Sequence, residues 1–127
     1  MPAQIVMDTD ILVDYLRGYP PAVEYIRRNA DSISIPAMVT AELYAGARDE
    51  EELETLDRFL GLFTLIPITA GIARAGGLYA KRYGKSHGIG LADAVIAAAA
   101  ESRGAALKTL NVKHYPMFGN LTPPYRK

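Results

Sequence analysis

The sequence predicts an α/β fold, a three-layer α/β/α arrangement around a central, mainly parallel sheet, and three observations carry that expectation. Short apolar runs alternate with amphipathic stretches of helical length from the first residues to about residue 110, the pattern that strand, crossover helix and parallel strand produce. The chain has 127 residues, half of them hydrophobic, which is enough for one core, so residues 1–127 are expected to form a single domain. No internal repeat, linker or low-complexity stretch asks for a second.

Each element has its own signal. Gln4-Ile5-Val6-Met7 reads as a buried strand, and Ile11, Leu12, Tyr15 and Leu16 then recur at helical spacing up to Gly18, with Asp8 or Thr9 as the cap. Pro20-Pro21 starts a second helix over Val23, Tyr25 and Ile26, ending near Asn29. Ser32 to Ile35 alternates and stops at Pro36, which suits a short strand. Ala37 to Ala47 is helical, with Val39, Leu43 and Tyr44 inward and Glu42 among them. Asp49 to Gly61 places four acids in its first turns, where they complement the helix dipole, and Leu53, Leu56, Phe59 and Leu60 on its apolar face.

Phe63 to Ile68 is the third strand candidate, and Thr69 caps a helix reaching about Tyr83. Gly71, Gly76 and Gly77 each cost about 1 kcal/mol in a helix interior relative to Ala, and they make sense where another helix or subunit approaches closely. Lys81 to Gly90 reads as a basic, glycine-rich helix end and loop. Leu91 to Arg103 is a strongly apolar helix closed by Gly104, Ala105 to Leu110 returns as a strand, and Asn111 to Tyr115 is a turn or short helix stopped by Pro116. The tail from Met117 has little periodicity.

The composition excludes several classes. Without Cys there is no disulfide scaffold, thiolate zinc site or Cys nucleophile. An acid at residue eight and apolar runs far short of the ~20 residues of a membrane span leave a soluble, cytoplasmic protein with no membrane partner as the expectation. No glycine-rich phosphate loop, dinucleotide-binding spacing or serine nucleophile elbow is present. The 14 basic and 14 acidic residues balance, but they are unevenly placed. Residues 1–60 hold twelve acids against five Arg, a net of minus seven, and residues 61–127 hold nine bases against Asp93 and Glu101, a net of plus seven. Such asymmetry gives either a basic face for a polyanion or two halves that pack and neutralise each other.

Three carboxylates stand out by their surroundings. Asp8 follows the first apolar strand, Glu42 sits among apolar helix positions, and Asp93 opens an almost wholly apolar helix. In a parallel sheet the strand carboxyl ends and the following helix starts gather on one edge, so these acids can converge there around a hard divalent cation, Mg²⁺ or Mn²⁺. With a phosphate as a further ligand the result is a phosphodiester hydrolysis site. Taken singly, Asp8, Asp10 and Asp93 can equally be helix caps and Glu42 the partner of a buried Arg. Asp14 reads as an exposed helix position. His87 reads as a solvent-facing loop histidine, whereas His114 follows the last strand and can end near the same edge.

Four motifs in order, Val6-Met7-Asp8-Thr9-Asp10-Ile11-Leu12, Val39-Thr40-Ala41-Glu42-Leu43-Tyr44-Ala45-Gly46-Ala47, Leu91-Ala92-Asp93-Ala94-Val95-Ile96-Ala97-Ala98 and Leu107-Lys108-Thr109-Leu110-Asn111-Val112-Lys113-His114-Tyr115, resemble the PIN-domain family across nearly the whole chain. The resemblance is closest to its small VapC-like toxins of type II toxin-antitoxin systems. It implies a Mg²⁺-dependent ribonuclease whose metal-binding acids are Asp8, Glu42 and Asp93, with Thr9 as the hydroxyl beside the first acid. It also implies an RNA substrate, a homodimer, and a cognate antitoxin whose carboxyl-terminal segment covers the site. Family members commonly add a fourth acid in the last motif, where this chain offers Asn111, Lys113 and His114. Asn111 can hold a water or orient Asp8, which fits one metal and argues against a tightly held second.

For the substrate, Arg82, Lys85, Lys113 and His114, with Lys81 and Lys108, are candidates to contact RNA phosphates, each being equally readable as a solvated basic position. Tyr44, Tyr79, Tyr83 and Tyr115 can stack on bases, although packing is the more ordinary role. The competing functions are an RNA-processing or DNA-acting nuclease of the same fold, and a degenerate, non-catalytic nucleic-acid-binding module.

Overall fold

The computed structural model describes residues 4–119 and 121–127. Four parallel strands, β1 (Ile5–Met7), β2 (Ile33–Pro36), β3 (Thr64–Ile66) and β4 (Ala106–Lys108), form one sheet in the order β3-β2-β1-β4. Six α-helices, α1 (Thr9–Leu16), α2 (Pro20–Asn29), α3 (Ala37–Ala45), α4 (Glu50–Leu60), α5 (Ala70–His87) and α6 (Leu91–Ser102), complete the three-layer α/β/α fold. Every residue of β1 and β2 is buried, as expected for parallel strands covered on both faces. Ile5 pairs with Ile33 on one side and Ala106 on the other, and Met7 pairs with Lys108.

The chain leaves β1 to build β2 and β3 on one side and returns to place β4 on the other. The carboxyl ends of β1 and β4 therefore flank the point where strand order reverses, the usual location of a ligand crevice in such sheets. The ladder continues one residue past β1, because the Asp8 amide donates to the Lys108 carbonyl at 2.9 Å. This fixes the backbone of Asp8 beside β4 before α1 begins.

Several boundaries differ from those the sequence suggests, each for a local reason. The fifth helix runs to His87 rather than Tyr83, so Lys85 and His87 lie on its last turn and not in a loop; it ends where Gly88 takes the left-handed conformation (φ 66°). The last strand stops at Lys108 because Thr109 and Leu110 turn their polar groups toward acids of the first motif. The widest correction concerns Asp14, which is buried rather than exposed. Its carboxylate accepts from the Tyr125 hydroxyl and the Lys127 ammonium, both at 2.7 Å, so the tail folds back onto α1. Burial works to raise the Asp14 pKa, and the bonds from Lys127 and Tyr125 outweigh it and hold the carboxyl below its ordinary value.

The longest helix pairing, α5 on α6, depends on one glycine. A Cβ on Gly76 would lie 2.8 Å from Val95 Cγ2 and 2.9 Å from Val95 Cα, whereas a Cβ on the next residue, Gly77, meets nothing within 4 Å. The expected close approach is thus at Gly76 alone. It seats α6, whose residues Ala94–Ala100 are all buried, against α5 and sets the position of Asp93 two residues before Val95.

Gly76→Ala is expected to destabilise the fold by ~1–2 kcal/mol, because overpacking against backbone exceeds the helix-propensity gain. Gly77→Ala is expected to stabilise it by up to about 1 kcal/mol. Urea denaturation of both variants checks the contrast; equal shifts would show that the contact at Gly76 yields freely.

Candidate active site

Asp8 is the N-cap of α1 and only 5% exposed. Its Oδ1 accepts from the Thr9 amide at 2.8 Å, and its Oδ2 accepts from the Thr109 hydroxyl at 2.8 Å and the Tyr115 hydroxyl at 2.9 Å. The Tyr115 hydroxyl also lies 3.4 Å from Asp93 Oδ1, so one phenol faces both acids. The Thr109 hydroxyl likewise lies 3.4 Å from Asp10 Oδ2. Thr9 extends the cluster through its side chain, which donates to Glu42 Oε1 at 2.7 Å. Of the three acids singled out in the sequence, Asp8 and Asp93 therefore share one hydroxyl, and Glu42 joins Asp8 through Thr9, whose hydroxyl donates to Glu42 and whose amide donates to Asp8.

Asp10 belongs to the same edge. Its Oδ2 accepts from the Leu110 amide at 2.9 Å and from Asn111 Nδ2 at 3.2 Å, and its Oδ1 from the Ile11 amide at 2.8 Å. Asn111 thus orients Asp10 and not Asp8, which corrects the sequence expectation. Burial, followed by the charge of Asp8, pushes the Asp10 carboxyl up to about 6 despite those bonds. The same two causes raise Asp93, while His114, whose Nδ1 lies 3.3 Å from Asp93 Oδ2, works to lower it. Burial and the neighbouring acids hold the Tyr115 hydroxyl well above its ordinary pKa, so it remains a donor.

Three contributors escaped the sequence reading of the site. Asp10 looked like a helix cap, Thr109 lay inside an apparent strand, and Tyr115 read as a packing aromatic. A polar Thr between Leu107 and Leu110, six residues before a Tyr in an otherwise polar turn, was the available signal. Of the basic candidates, His114 stands beside Asp93, and the others form no side-chain ion pair with the site acids among the described residues. Arg82, Lys85 and Lys113 are exposed, and among the described residues none forms a hydrogen bond or ion pair with Asp8, Asp10, Glu42 or Asp93. Arg82 instead sits over the Tyr83 ring, 5.6 Å from its centroid, and His87 is exposed beside Ser86.

The donor set fits a hard divalent cation. It is anionic and oxygen-only, and no Lys, Arg or His among the described residues lies within 4.0 Å of the acidic oxygens of Asp8, Asp10 or Glu42. No three carboxylate or imidazole groups among the described residues close up as a metal cage. Mg²⁺ is commonly held by one or two carboxylates while water and substrate oxygens supply the rest, and Asp8 and Asp93, which share the Tyr115 hydroxyl, are such a pair.

A family model described as the PIN domain matches residues 5–115, from the first strand through Tyr115. The chain belongs to the PIN-domain family. Ribonuclease VapC19 of Mycobacterium tuberculosis is similar to this PIN domain at 44% identity over 124 residues, covering 94% of this chain and 98% of the relative. Ribonuclease VapC10 of the same organism is 41% identical over 124 residues, covering 95% and 92%. The crystal structure of VapBC2 from Rickettsia felis bound to a DNA fragment from their promoter matches at a TM-score of 0.75 and 26% identity, covering 92% of this chain and 94% of that one. PIN-domain ribonucleases generally need a divalent metal, in keeping with the donor set. Among the described residues no helix is long and apolar enough to cross a membrane.

In metal-free protein the Asp10 carboxyl is expected to titrate near pH 6. Because that lies above the ordinary 3.8, its proton stabilises the fold: the contribution is complete below 3.8 and is lost as pH rises through about 6. Carboxyl ¹³C shifts followed against pH check this, and Asp8→Asn is expected to lower the midpoint by removing the neighbouring charge. A midpoint indifferent to Asp8 would refute the coupling.

Proposed function

We propose that this PIN domain, acting as one unit over residues 1–127, is a metal-dependent endoribonuclease toxin neutralised by a cognate antitoxin. The observation that carries the reading is the pair of acids, Asp8 and Asp93, that face one Tyr115 hydroxyl with no fixed cation on Asp8. Asp8 and Asp93 would hold one Mg²⁺ or Mn²⁺ ion directly and Glu42 would reach it through a water, with Thr9 holding Glu42 and Asn111 holding Asp10 in place beside it. When bound, the cation supplies water activation and stabilisation of the charge that develops at phosphorus. Hydrolysis then joins the water oxygen to phosphorus as the leaving ribose oxygen departs with a proton.

The chain's own groups do the rest. Thr109 and Tyr115 orient Asp8 by donating to it. Lys113 offers a cation and the half-exposed His114, beside Asp93, a ring nitrogen to an incoming phosphate, and Arg82 and Lys85 extend that path on the last turns of α5. The named ribonuclease activity of VapC19 and VapC10 supports RNA as the substrate.

The antitoxin reading is supported by the VapBC2 complex and by a groove of about 620 Å³ between α1, α3 and α4. Val13, Leu16, Leu43 and Leu56 line it, Arg17 and Arg48 stand in its wall, and it reaches Glu42. An antitoxin segment in that groove would cover the acids. A homodimer is proposed as well, with the exposed side chains of Leu78 and Leu91 on neighbouring helices as apolar surface available to it.

Purified protein incubated with total RNA and Mg²⁺ tests the assignment. Asp8→Asn and Asp93→Asn are each expected to lower cleavage by roughly 100-fold or more while the fold persists by circular dichroism. Unchanged turnover in either variant would remove that acid from the catalytic set.

A further inference from the structure

We propose that Tyr115 is a positioning residue for the cation: with Thr109 its hydroxyl fills Asp8 Oδ2, so that Asp8 meets the ion through Oδ1 alone. The inference rests on the reading of Asp8 and Asp93 as metal ligands and adds to it the atom used and the group that selects it.

The argument is a count of acceptor sites. A carboxylate offers about four lone-pair positions, two on each oxygen. Thr109 Oγ1 and Tyr115 Oη, at 2.8 and 2.9 Å, take both on Oδ2, and the Thr9 amide takes one on Oδ1 at 2.8 Å. Among the described residues, one position is left without a protein donor, and it is on Oδ1. A cation approaching Oδ2 would have to displace a buried hydroxyl and strand it, which the interior penalises.

Tyr115 is well built for that task. Its side chain is fully buried, and its amide is bound to the Val112 carbonyl at 3.2 Å, so the phenol is anchored from both ends. A hydroxyl has one proton to give. The shorter approach, 2.9 Å against 3.4 Å, directs it to Asp8 and leaves Asp93 alongside with its lone pairs available. A phenylalanine would fill the same apolar volume, so the hydroxyl matters for the acids and not for the packing.

The test uses Mn²⁺ as the probe, titrated calorimetrically into the wild-type protein, Tyr115→Phe and Asp8→Asn. Tyr115→Phe is expected to weaken Mn²⁺ binding roughly 10–100-fold, the range typical of groups that orient metal ligands, with RNA cleavage recovering toward the wild-type rate as Mn²⁺ is raised. An unchanged affinity in Tyr115→Phe, beside lost binding in Asp8→Asn, overturns the role of Tyr115 and leaves the metal site standing. Binding that survives Asp8→Asn overturns the site itself. A second measurement needs no Tyr115 variant to fold. In infrared difference spectra of Mg²⁺-loaded minus metal-free wild-type protein, the Asp8 bands, identified by a ¹³C-carboxyl label placed at residue 8 alone, are expected to show a wider carboxylate splitting than the free ion, the mark of one-oxygen ligation. A narrower splitting, the mark of two-oxygen ligation, overturns the proposal.

Discussion

The burial of the Asp8 carboxylate without a countercharge is the constraint around which the rest of the structure is arranged. A carboxyl group 5% exposed at the end of a central strand needs hydrogen-bond donors in place of the lost water. The chain supplies three of them: an amide from the start of α1, a hydroxyl from just past β4 and a phenol from the following turn. Bringing the last two there requires residues about a hundred positions distant in sequence to lie beside β1, which is what the β1–β4 pairing and the Asp8–Lys108 backbone bond accomplish. Sheet order and site geometry are one arrangement. The crossing α5–α6 contact at Gly76 then places Asp93 where its carboxylate meets the same phenol.

Dipoles orient a charge but do not neutralise it, and the neighbouring acids show the result. Asp10 accepts several hydrogen bonds and is still pushed up to about 6, and Asp93 is raised with a histidine beside it. A fold stabilised only for its own sake would gain from replacing such acids by neutral groups. Their retention in one place is understandable if a divalent cation and an RNA phosphate complete the charge balance. Asp14, a buried acid that a cation does neutralise, lies outside this cluster and is satisfied by Lys127 and Tyr125.

Much of the architecture was legible in the sequence because it depends on local pattern: short apolar runs for buried parallel strands, helical spacing between them, and Asp8, Glu42 and Asp93 as acids in apolar company. What was not legible depends on contacts between distant segments. Asp10 has the same local signature as a helix cap, and only the turn after β4 shows its second role. Asp14 looks like an exposed helical position until the tail folds over it. Thr109 and Tyr115 carry no charge, so their only mark in the sequence is a polar Thr between Leu107 and Leu110 and a Tyr in the turn that follows. The acidic and basic halves of the chain do meet, through Lys127 on Asp14, yet Arg82, Lys85 and Lys113 remain exposed and unpaired with the site acids.

Thermal unfolding as a function of Mg²⁺ concentration tests the central claim, that these acids are held together for a cation, most directly. Ligand that binds only the folded chain raises its stability in proportion to the logarithm of concentration once above its Kd, about 1.4 kcal/mol for each further tenfold. The account predicts a midpoint that climbs with Mg²⁺ in the wild-type protein and stays flat in Asp8→Asn. A wild-type midpoint that does not move, or one that climbs equally in Asp8→Asn, would contradict it.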